Sequence, residues 1–333
     1  MPEDARLLAH ARARIDELAD RYDHGGIRRF FLLHRRRLWN PAEGVWMGWE
    51  RKRGKLAELN LLLRGVENTS FVPTGPTPPE GIRYVVTLDS DTRLPRDTVA
   101  ALVGKMAHPV NRPVHAEDGV VIRGHGIMQP RVTPSLTTGP EASVFQRIFS
   151  VNRGLDPYVF TVSDLYQDLA DEGSFTGKGI YDVDAFERAV AGRIAENAVL
   201  SHDLLEGCLA RSALVTDIEV VEDFPVRYAT EASRQHRWTR GDWQLLPIMF
   251  KRGNGLSGLS RFKMLDNLRR SLMTPAWVAA SVMGWLVLPG AWPILWQGLM
   301  ILLVAAVAVL QVDLRVFRPG YGVSWDYHLR HMA

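Results

Sequence analysis

Apolar and polar positions divide the chain into two parts. In the first part, short apolar runs alternate with amphipathic stretches, which is typical of an α/β domain. In the second part, from Ser271 to Val312, no residue carries a charge. We therefore predict an α/β domain over residues 1–262, an apolar helical segment, and a tail over residues 313–333.

The alternation in the first part predicts a sheet covered by helices on both faces, with ligands at the carboxyl ends of its strands. An amphipathic pattern predicts a surface helix near the N-terminus, and Phe71–Gly81 is predicted to be an exposed connector. The predicted strands are Arg29–Leu33, Ile82–Leu88, Gly119–Ile122, Gly126–Gln129 and Ala213–Val221, and the predicted helices include Leu94–Met106 and Asp184–Ala191.

The uncharged segment over residues 271–312 predicts two transmembrane helices. A single helix of this length would reach about 60 Å, whereas the hydrocarbon core of a bilayer is ~30 Å thick. Pro289, Gly290 and Pro293 predict a turn near the middle. Basic residues flank the segment on both sides, which predicts that both ends lie on the cytoplasmic side. A buried helical hairpin of a soluble protein is the alternative.

Charge and cysteine content restrict the possible classes of function. The chain has 40 basic and 37 acidic residues and a net charge of +3, so nothing indicates a nucleic-acid partner. Cys208 is the only cysteine, which excludes a disulfide or a cysteine-ligated metal site within the chain. A reducing compartment fits this composition.

Two carboxylates lie one residue apart where an apolar run ends. Asp89 and Asp91 follow the predicted strand Ile82–Leu88, and residues two apart in an extended chain point the same way. Mg²⁺ or Mn²⁺ relieves the repulsion between such anions and also binds substrate phosphates. Arg93 and Leu94 exclude an EF-hand loop, and Arg93 also departs from aspartyl-phosphate phosphatases. A turn with capping carboxylates stays open.

Basic residues near two helices are candidates for phosphate binding. Arg53 and Lys55 precede a predicted helix, whose free amides also suit phosphate. The stretch "SRQHRWTRGDWQ" contains Arg237, Trp238 and Arg240. Guanidinium groups suit a diphosphate and an indole face suits a sugar ring. A solvated helix start and an amphipathic surface helix, respectively, are the alternatives.

Two further stretches carry candidate chemistry. The stretch "EGSFTGKGIYDVDAF" is rich in glycine, so its backbone could pass close to a ligand, although a plain turn would look the same. The stretch "LSHDLLEG" places Asp203 and Glu206 near one another if it opens a helix. Such a carboxylate could be a general base or a helix cap, and the sequence leaves both open.

Taken in order, these stretches resemble processive, membrane-associated, family 2-like glycosyltransferases with a GT-A (Rossmann-like) fold. The motifs "WNPAEGVWMGWERKRGKLAELN", "LDSDTRLP", "LSHDLLEGCLAR" and "HRWTRGDWQLL" look most like the glucosyltransferase domain of bacterial cyclic β-1,2-glucan synthases. The resemblance extends from about Arg28 to the apolar segment. It implies inverting transfer of glucose from UDP-glucose to a growing β-1,2-glucan, by a multi-pass enzyme of the bacterial inner membrane with a cytoplasmic catalytic domain.

The resemblance also implies roles for single residues. Asp89 and Asp91 match the pair that binds Mg²⁺ or Mn²⁺ and thereby the nucleotide diphosphate. Asp203 matches the base that deprotonates the acceptor hydroxyl. Arg237 and Trp238 match the Arg-Trp of the Gln-x-x-Arg-Trp signature, which implies a diphosphate contact and a platform for the acceptor sugar.

Other positions complete the predicted site. Arg234 stands where the signature has glutamine. Phe175, Thr176 and Gly177 align with the loop that contacts the acceptor, without the cysteine found there in related synthases. The predicted donor-binding residues are Arg53, Lys55, Asp89, Asp91, Arg237 and Arg240.

One departure concerns the start of the fold. A GT-A domain opens with a strand and loop that hold the uracil, and no such strand precedes the first predicted helix. We therefore expect a fragment of a larger synthase that lacks its first strand and whose partners are the remaining domains, a glucan acceptor and the lipid bilayer. The alternatives are a family 2 synthase of a β-1,3- or β-1,4-glucan and a catalytically silent glucan-binding membrane module.

Overall fold

The computed structural model describes residues 2–135, 143, 145–146 and 164–311. The chain divides into two compact units, Met1–Met264 and Leu265–Ala333. The tail predicted over residues 313–333 lies outside the described residues.

Helices and strands alternate along the first unit. Among the described residues, the helices are α1 (Pro2–Tyr22), α2 (Arg51–Leu62), α3 (Thr98–Ala107), α4 (Leu165–Ala170), α5 (Val183–Val190), α6 (Asp203–Leu209), α7 (Tyr228–Gln244), α8 (Leu246–Phe250), α9 (Gly258–Val287) and α10 (Trp292–Gln311). The strands are β1 (His34–Arg35), β2 (Leu38–Asn40), β3 (Val45–Met47), β4 (Phe71–Val72), β5 (Tyr84–Thr87), β6 (Thr92–Arg93), β7 (Val114–His115), β8 (Val121–Arg123), β9 (Ile127–Pro134), β10 (Gly179–Asp182) and β11 (Ser212–Glu222).

A five-stranded mixed sheet forms the centre of the first unit, with strand order β5-β10-β9-β11-β6. Strands β9 and β11 are parallel, and the other neighbouring pairs are antiparallel. Gly179 opens β10 with φ +143°, and a Cβ there would lie 2.2 Å from the Met128 carbonyl oxygen. Only glycine therefore permits β10 to lie between β5 and β9 at this point.

Helices cover both faces of this sheet, and β10 packs apolar side chains against helices on both sides. Ile180 of β10 packs in a buried cluster with Leu102 and Met106 of α3. The next residue, Tyr181, belongs to a second cluster that includes Leu205 of α6. Alternation of neighbouring side chains across the strand produces this division. The predicted α/β class with a helix-covered sheet is thus confirmed.

Two predicted elements differ from the structure. The segment Arg29–Leu33 is not a strand; Phe30 instead packs near Tyr22 of α1 with ring centroids 6.1 Å apart. The predicted helix Leu94–Met106 begins only at Thr98. Asp97 has φ 66°, outside the right-handed helical region, so the helix cannot extend back through it.

In the second unit, the later part of α9 and α10 form a helical hairpin. The Trp296 indole nitrogen donates to the Ala280 carbonyl oxygen at 2.9 Å. Its ring lies where a side chain on Gly284 would stand, 2.2 Å from the Cβ position. The predicted turn falls between the helices, with Gly290 at φ 60°.

The prediction of two transmembrane helices is not supported. Within residues 164–311 and the other described ranges, no helix is both long and apolar enough to cross a membrane. Helix α9 carries charged residues as far as Arg270, so only its later part belongs to the uncharged segment.

Candidate active site

A cavity of about 920 Å³ opens at the carboxyl end of β5. Its walls come from α2, the turn after β5, the last residue of β11, the start of α6 and one face of α7. The carboxyl end of a central strand is where α/β folds commonly place ligands.

Three carboxylates meet on one wall of the cavity. Strand β5 ends at Thr87, and Asp89 and Asp91 follow it in a turn closed by a hydrogen bond from the Thr92 backbone N–H to the Asp89 carbonyl oxygen at 3.1 Å. The pairing of β11 with β6 places Glu222 opposite Thr92. One oxygen from each of Asp89, Asp91 and Glu222 lies within 4.8 Å of the others. Such a set of oxygen ligands suits a hard divalent cation.

Two lysines partly neutralise these carboxylates. Lys52 of α2 donates to Asp89 Oδ1 at 2.7 Å. Lys178 lies 3.4 Å from Asp89 Oδ2 and 2.9 Å from Glu222 Oε2. It reaches them because β10 pairs with β5 through Gly179 and Thr87, which places the preceding residue beside the turn.

The pKa values of Asp89 and Glu222 shift in opposite directions. Burial raises the pKa of Asp89, but the hydrogen bond from Lys52 and the charges of Lys52 and Lys178 outweigh it and hold that pKa below its ordinary value. Burial raises the pKa of Glu222 above its ordinary value, although Lys178 opposes the shift. Asp89 is therefore the more firmly ionised of the two.

Lys52 also connects this carboxylate cluster to Asp203. Its ammonium donates to the Gly177 carbonyl oxygen at 2.8 Å. Gly177 has φ +85°, and a Cβ there would lie 2.8 Å from Asp203 Oδ1. The glycine backbone therefore rests directly against the Asp203 carboxylate, which a side chain would displace.

Asp203 is the first residue of α6 and faces the cavity with its side chain 26% exposed. The neighbouring His202 imidazole places Nδ1 2.8 Å from Glu206 Oε1 and 3.6 Å from Asp203 Oδ1. Burial lowers the pKa of His202, but the carboxylates of Glu206 and Asp203 outweigh it and raise the pKa to about 9. A partly exposed carboxylate on a cavity wall can accept a proton from a bound hydroxyl.

One face of α7 also lines the cavity. Arg234, Arg237 and Trp238 line the cavity, as the spacing i, i+3, i+4 requires. The Arg234 guanidinium lies 5.0 Å from the centroid of the Trp238 ring. Gly241, one turn later, packs against Ser201, where a Cβ would lie 2.5 Å from the serine Cβ. This contact holds α7 beside the start of α6.

The structure places most predicted site residues on the cavity, but not all. Arg53 instead pairs with Glu50 and donates to the Ile194 carbonyl oxygen at 3.4 Å. Phe175 is buried in the core, and neither Arg240 nor Gly177 is among the residues that line the cavity. The predicted residues that line the cavity are Lys55, Asp89, Asp91, Thr176, Asp203, Arg237 and Trp238.

The predicted site set did not include Lys52, Lys178 and Glu222, whose charged groups meet those of the carboxylate cluster on the cavity. A signal for the first was available, because Lys52 shares a helical face with Lys55, Leu56 and Leu59, all of which line the cavity. Lys178 and Glu222 reach the cavity because β10 pairs with β5 and β11 pairs with β6. These strands are far apart in the sequence, so a local sequence pattern does not predict that the residues meet.

Comparison with known proteins identifies a close relative. No family model matches the chain. The chain is 66% identical over 297 residues to the cyclic beta-(1,2)-glucan synthase NdvB of Rhizobium meliloti (strain 1021). The match covers 89% of this chain and 10% of the relative, so the chain spans about a tenth of that protein's length. The predicted resemblance to a cyclic β-1,2-glucan synthase is confirmed.

Proposed function

Because the chain is similar over most of its length to one segment of a cyclic beta-(1,2)-glucan synthase, we propose that it is the glucosyltransferase domain of such a synthase. The proposed reaction is inverting transfer of glucose from UDP-glucose to the end of a β-1,2-glucan. The mixed sheet with helices on both faces fits a GT-A domain. The observation that carries this proposal is the single cavity shared by Asp89, Asp91, Asp203, Arg237 and Trp238.

The turn after β5 and the face of α7 form the proposed donor site. Asp89, Asp91 and Glu222 are the residues that would hold Mg²⁺ or Mn²⁺, and the cation would add positive charge beside the diphosphate leaving group. Lys52 and Arg237 supply further cationic donors on the same cavity. These groups stabilise the negative charge that develops on UDP as its bond to glucose breaks.

Asp203 is the proposed general base. It accepts the proton of an acceptor hydroxyl, whose oxygen bonds to the anomeric carbon while the bond from that carbon to the UDP oxygen breaks. The electron pair of the broken bond leaves with UDP. A single displacement of this kind inverts the anomeric configuration and needs no covalent intermediate with the protein.

The acceptor side of the cavity is proposed to include Trp238 and Thr176. The Trp238 indole offers an apolar face to a sugar ring. The backbone N–H and the hydroxyl of Thr176 both donate to Gln129 Oε1, at 3.0 and 3.2 Å, which fixes this loop against β9. A fixed loop orients the acceptor hydroxyl toward Asp203.

The proposal is tested by the linkage of the product. The chain is incubated with radiolabelled UDP-glucose and a β-1,2-gluco-oligosaccharide, and the extended product is subjected to methylation analysis. We expect label only in 2-linked and terminal glucose. Label in 3- or 4-linked glucose would identify a synthase of another glucan, and absence of transfer would favour the silent glucan-binding module.

Gly177→Ala is expected to reduce transfer at least about tenfold, because the new Cβ meets the Asp203 carboxylate. Gly192→Ala is the matched control: its φ is +73°, similar to +85° at Gly177, but no atom lies within 4 Å of the Cβ position. Both variants lose on the order of 1 kcal/mol of unfolding free energy through backbone strain. Urea unfolding measures the loss of stability, and initial rates of glucose transfer measure the loss of activity. Equal activity of the two variants would show that a Cβ at position 177 does not disturb the Asp203 carboxylate.

The chain corresponds to about a tenth of its relative, so the other parts of a larger synthase are proposed partners. They would supply later steps that this cavity does not perform, such as closing the glucan into a ring.

A further inference from the structure

His202 and Glu206 form a buried pair beside the Asp203 carboxylate. His202 is 7% exposed and Glu206 is 2% exposed. The imidazole Nδ1 lies 2.8 Å from Glu206 Oε1 and 3.6 Å from Asp203 Oδ1. Among the described residues, neither Glu206 Oε2 nor His202 Nδ1 has a partner with full hydrogen-bond geometry, so charge and proximity join the imidazole to this buried carboxylate.

The Asp203 carboxylate is therefore bounded on two sides. His202 lies on one side, and the Gly177 backbone lies on the other, with its Cβ position 2.8 Å from Oδ1 and 3.0 Å from Oδ2. Gly177 is itself fixed, because its carbonyl oxygen accepts from Lys52 at 2.8 Å and from the Thr87 hydroxyl at 3.2 Å. The side chain of Asp203 has little freedom to turn away from the cavity.

We propose that His202, anchored by Glu206, is a positioning residue that fixes the Asp203 carboxylate for proton transfer. This inference rests on the proposed function of Asp203 as the general base. The imidazole attracts one carboxylate oxygen, which leaves the other for the acceptor hydroxyl. Glu206 balances the imidazolium charge, so Asp203 is oriented without facing an uncompensated buried cation.

The charges around His202 support a protonated imidazole. Glu206 and Asp203 both favour the imidazolium, whereas burial and the Arg53 guanidinium oppose it. The balance raises the pKa of His202 to about 9, from an ordinary value of 6.5. The imidazolium is thus present at neutral pH and is lost as the pH rises through about 9.

The test uses the conservative variants His202→Gln and Glu206→Gln. Each is expected to lower kcat at least about tenfold at pH 7.5 with KM for UDP-glucose changed less than about twofold, because positioning of the base is lost and donor binding is not. In the unmodified chain, kcat is expected to fall as the pH rises through about 9. In His202→Gln this alkaline fall disappears, and in Glu206→Gln it moves to lower pH, because the anion that favours the imidazolium is gone.

His125→Gln is the matched control for loss of a buried histidine. His125 is 4% exposed, and its Nε2 lies 3.8 Å from Asp171 Oδ1, away from the residues that line the cavity. Burial lowers the pKa of His125, so it is neutral at the assay pH. We expect this variant to keep the pH profile and kcat of the unmodified chain.

A titration that does not depend on activity separates the inference from the proposed function. Imidazole resonances of the unmodified chain, assigned by comparison with His202→Gln, are followed by NMR between pH 5 and about 10.5. We expect His202 to titrate near 9. Titration near 6.5 or below, or active variants with an unchanged pH profile, would overturn the inference. Absence of glucose transfer by the unmodified chain, with His202 titrating near 9, would instead overturn the proposed function.

Discussion

Asp203→Asn is expected to lower the rate of glucose transfer by about 10²–10⁴-fold, the usual contribution of a positioned general base. The amide has nearly the shape of the carboxylate but cannot accept the proton of the acceptor hydroxyl. Binding of UDP should persist, because the donor contacts proposed for Lys52 and Arg237 do not involve Asp203. Initial rates with radiolabelled UDP-glucose, and calorimetric titration with UDP, measure the two properties.

Asp184→Asn is the control for this substitution. Asp184 is 74% exposed in its side chain and pairs with Arg64 on the surface, at 2.8 Å. A surface ion pair of this kind contributes little to stability. We expect unchanged transfer in this variant, and a transfer rate in Asp203→Asn within about tenfold of the unmodified chain would exclude Asp203 as the base.

Asp91→Asn is expected to weaken Mn²⁺-dependent binding of UDP by at least about tenfold, equivalent to roughly 1.4 kcal/mol. Asp89, Asp91 and Glu222 bring their oxygens together at one point, and the amide removes one anionic ligand. Because Lys52 and Lys178 remain on Asp89 and Glu222, the fold around the cluster should be retained. Calorimetric titration of UDP with and without Mn²⁺ measures the effect.

Asp217→Asn controls for the loss of one negative charge elsewhere. The Asp217 side chain is 67% exposed and pairs with Lys105 at 2.9 Å. UDP should bind this variant as it binds the unmodified chain. Identical heats with and without Mn²⁺ in the unmodified chain would show that the carboxylate cluster has no role in metal-assisted binding of the donor.

The α/β class followed from the sequence because β5, β9 and β11 each contain a short apolar run, although β10 was not predicted as a strand. Strands β5, β9 and β11 overlap their predicted ranges, and the structure changes mainly their ends. The strand predicted over Arg29–Leu33 failed because an apolar run has the same appearance whether it pairs in a sheet or packs against a helix. Tertiary packing, here of Phe30 near Tyr22, decided between the two.

Predicted site residues line the cavity where their motif lies at the end of a predicted strand or the start of a predicted helix. Asp89, Asp91 and Asp203 follow or open such elements and line the cavity. Arg53 was predicted to bind the donor but does not line the cavity, because it lies on a different face of α2. Lys52 and Lys55 face the cavity, whereas Arg53 pairs with Glu50. The exact first residue of a helix sets which residues share a face, and sequence patterns fix helix ends poorly.

The positions of Glu222 and Lys178 depend on strand pairings that a single sequence does not specify. Glu222 reaches Asp91 only because β11 pairs with β6, and Lys178 reaches Asp89 only because β10 pairs with β5. Both pairings join segments far apart in the chain. The register of such pairings depends on the completed sheet, which local patterns do not specify.

A crystal structure of the chain with UDP and Mn²⁺ would test the proposed donor site most directly. We predict that the diphosphate lies in the cavity, in contact with Lys52 and Arg237 and beside the turn after β5, and that Asp203 faces the space left for glucose. UDP bound outside this cavity, or bound within it with no contact to the turn that carries Asp89 and Asp91, would contradict the proposed donor site.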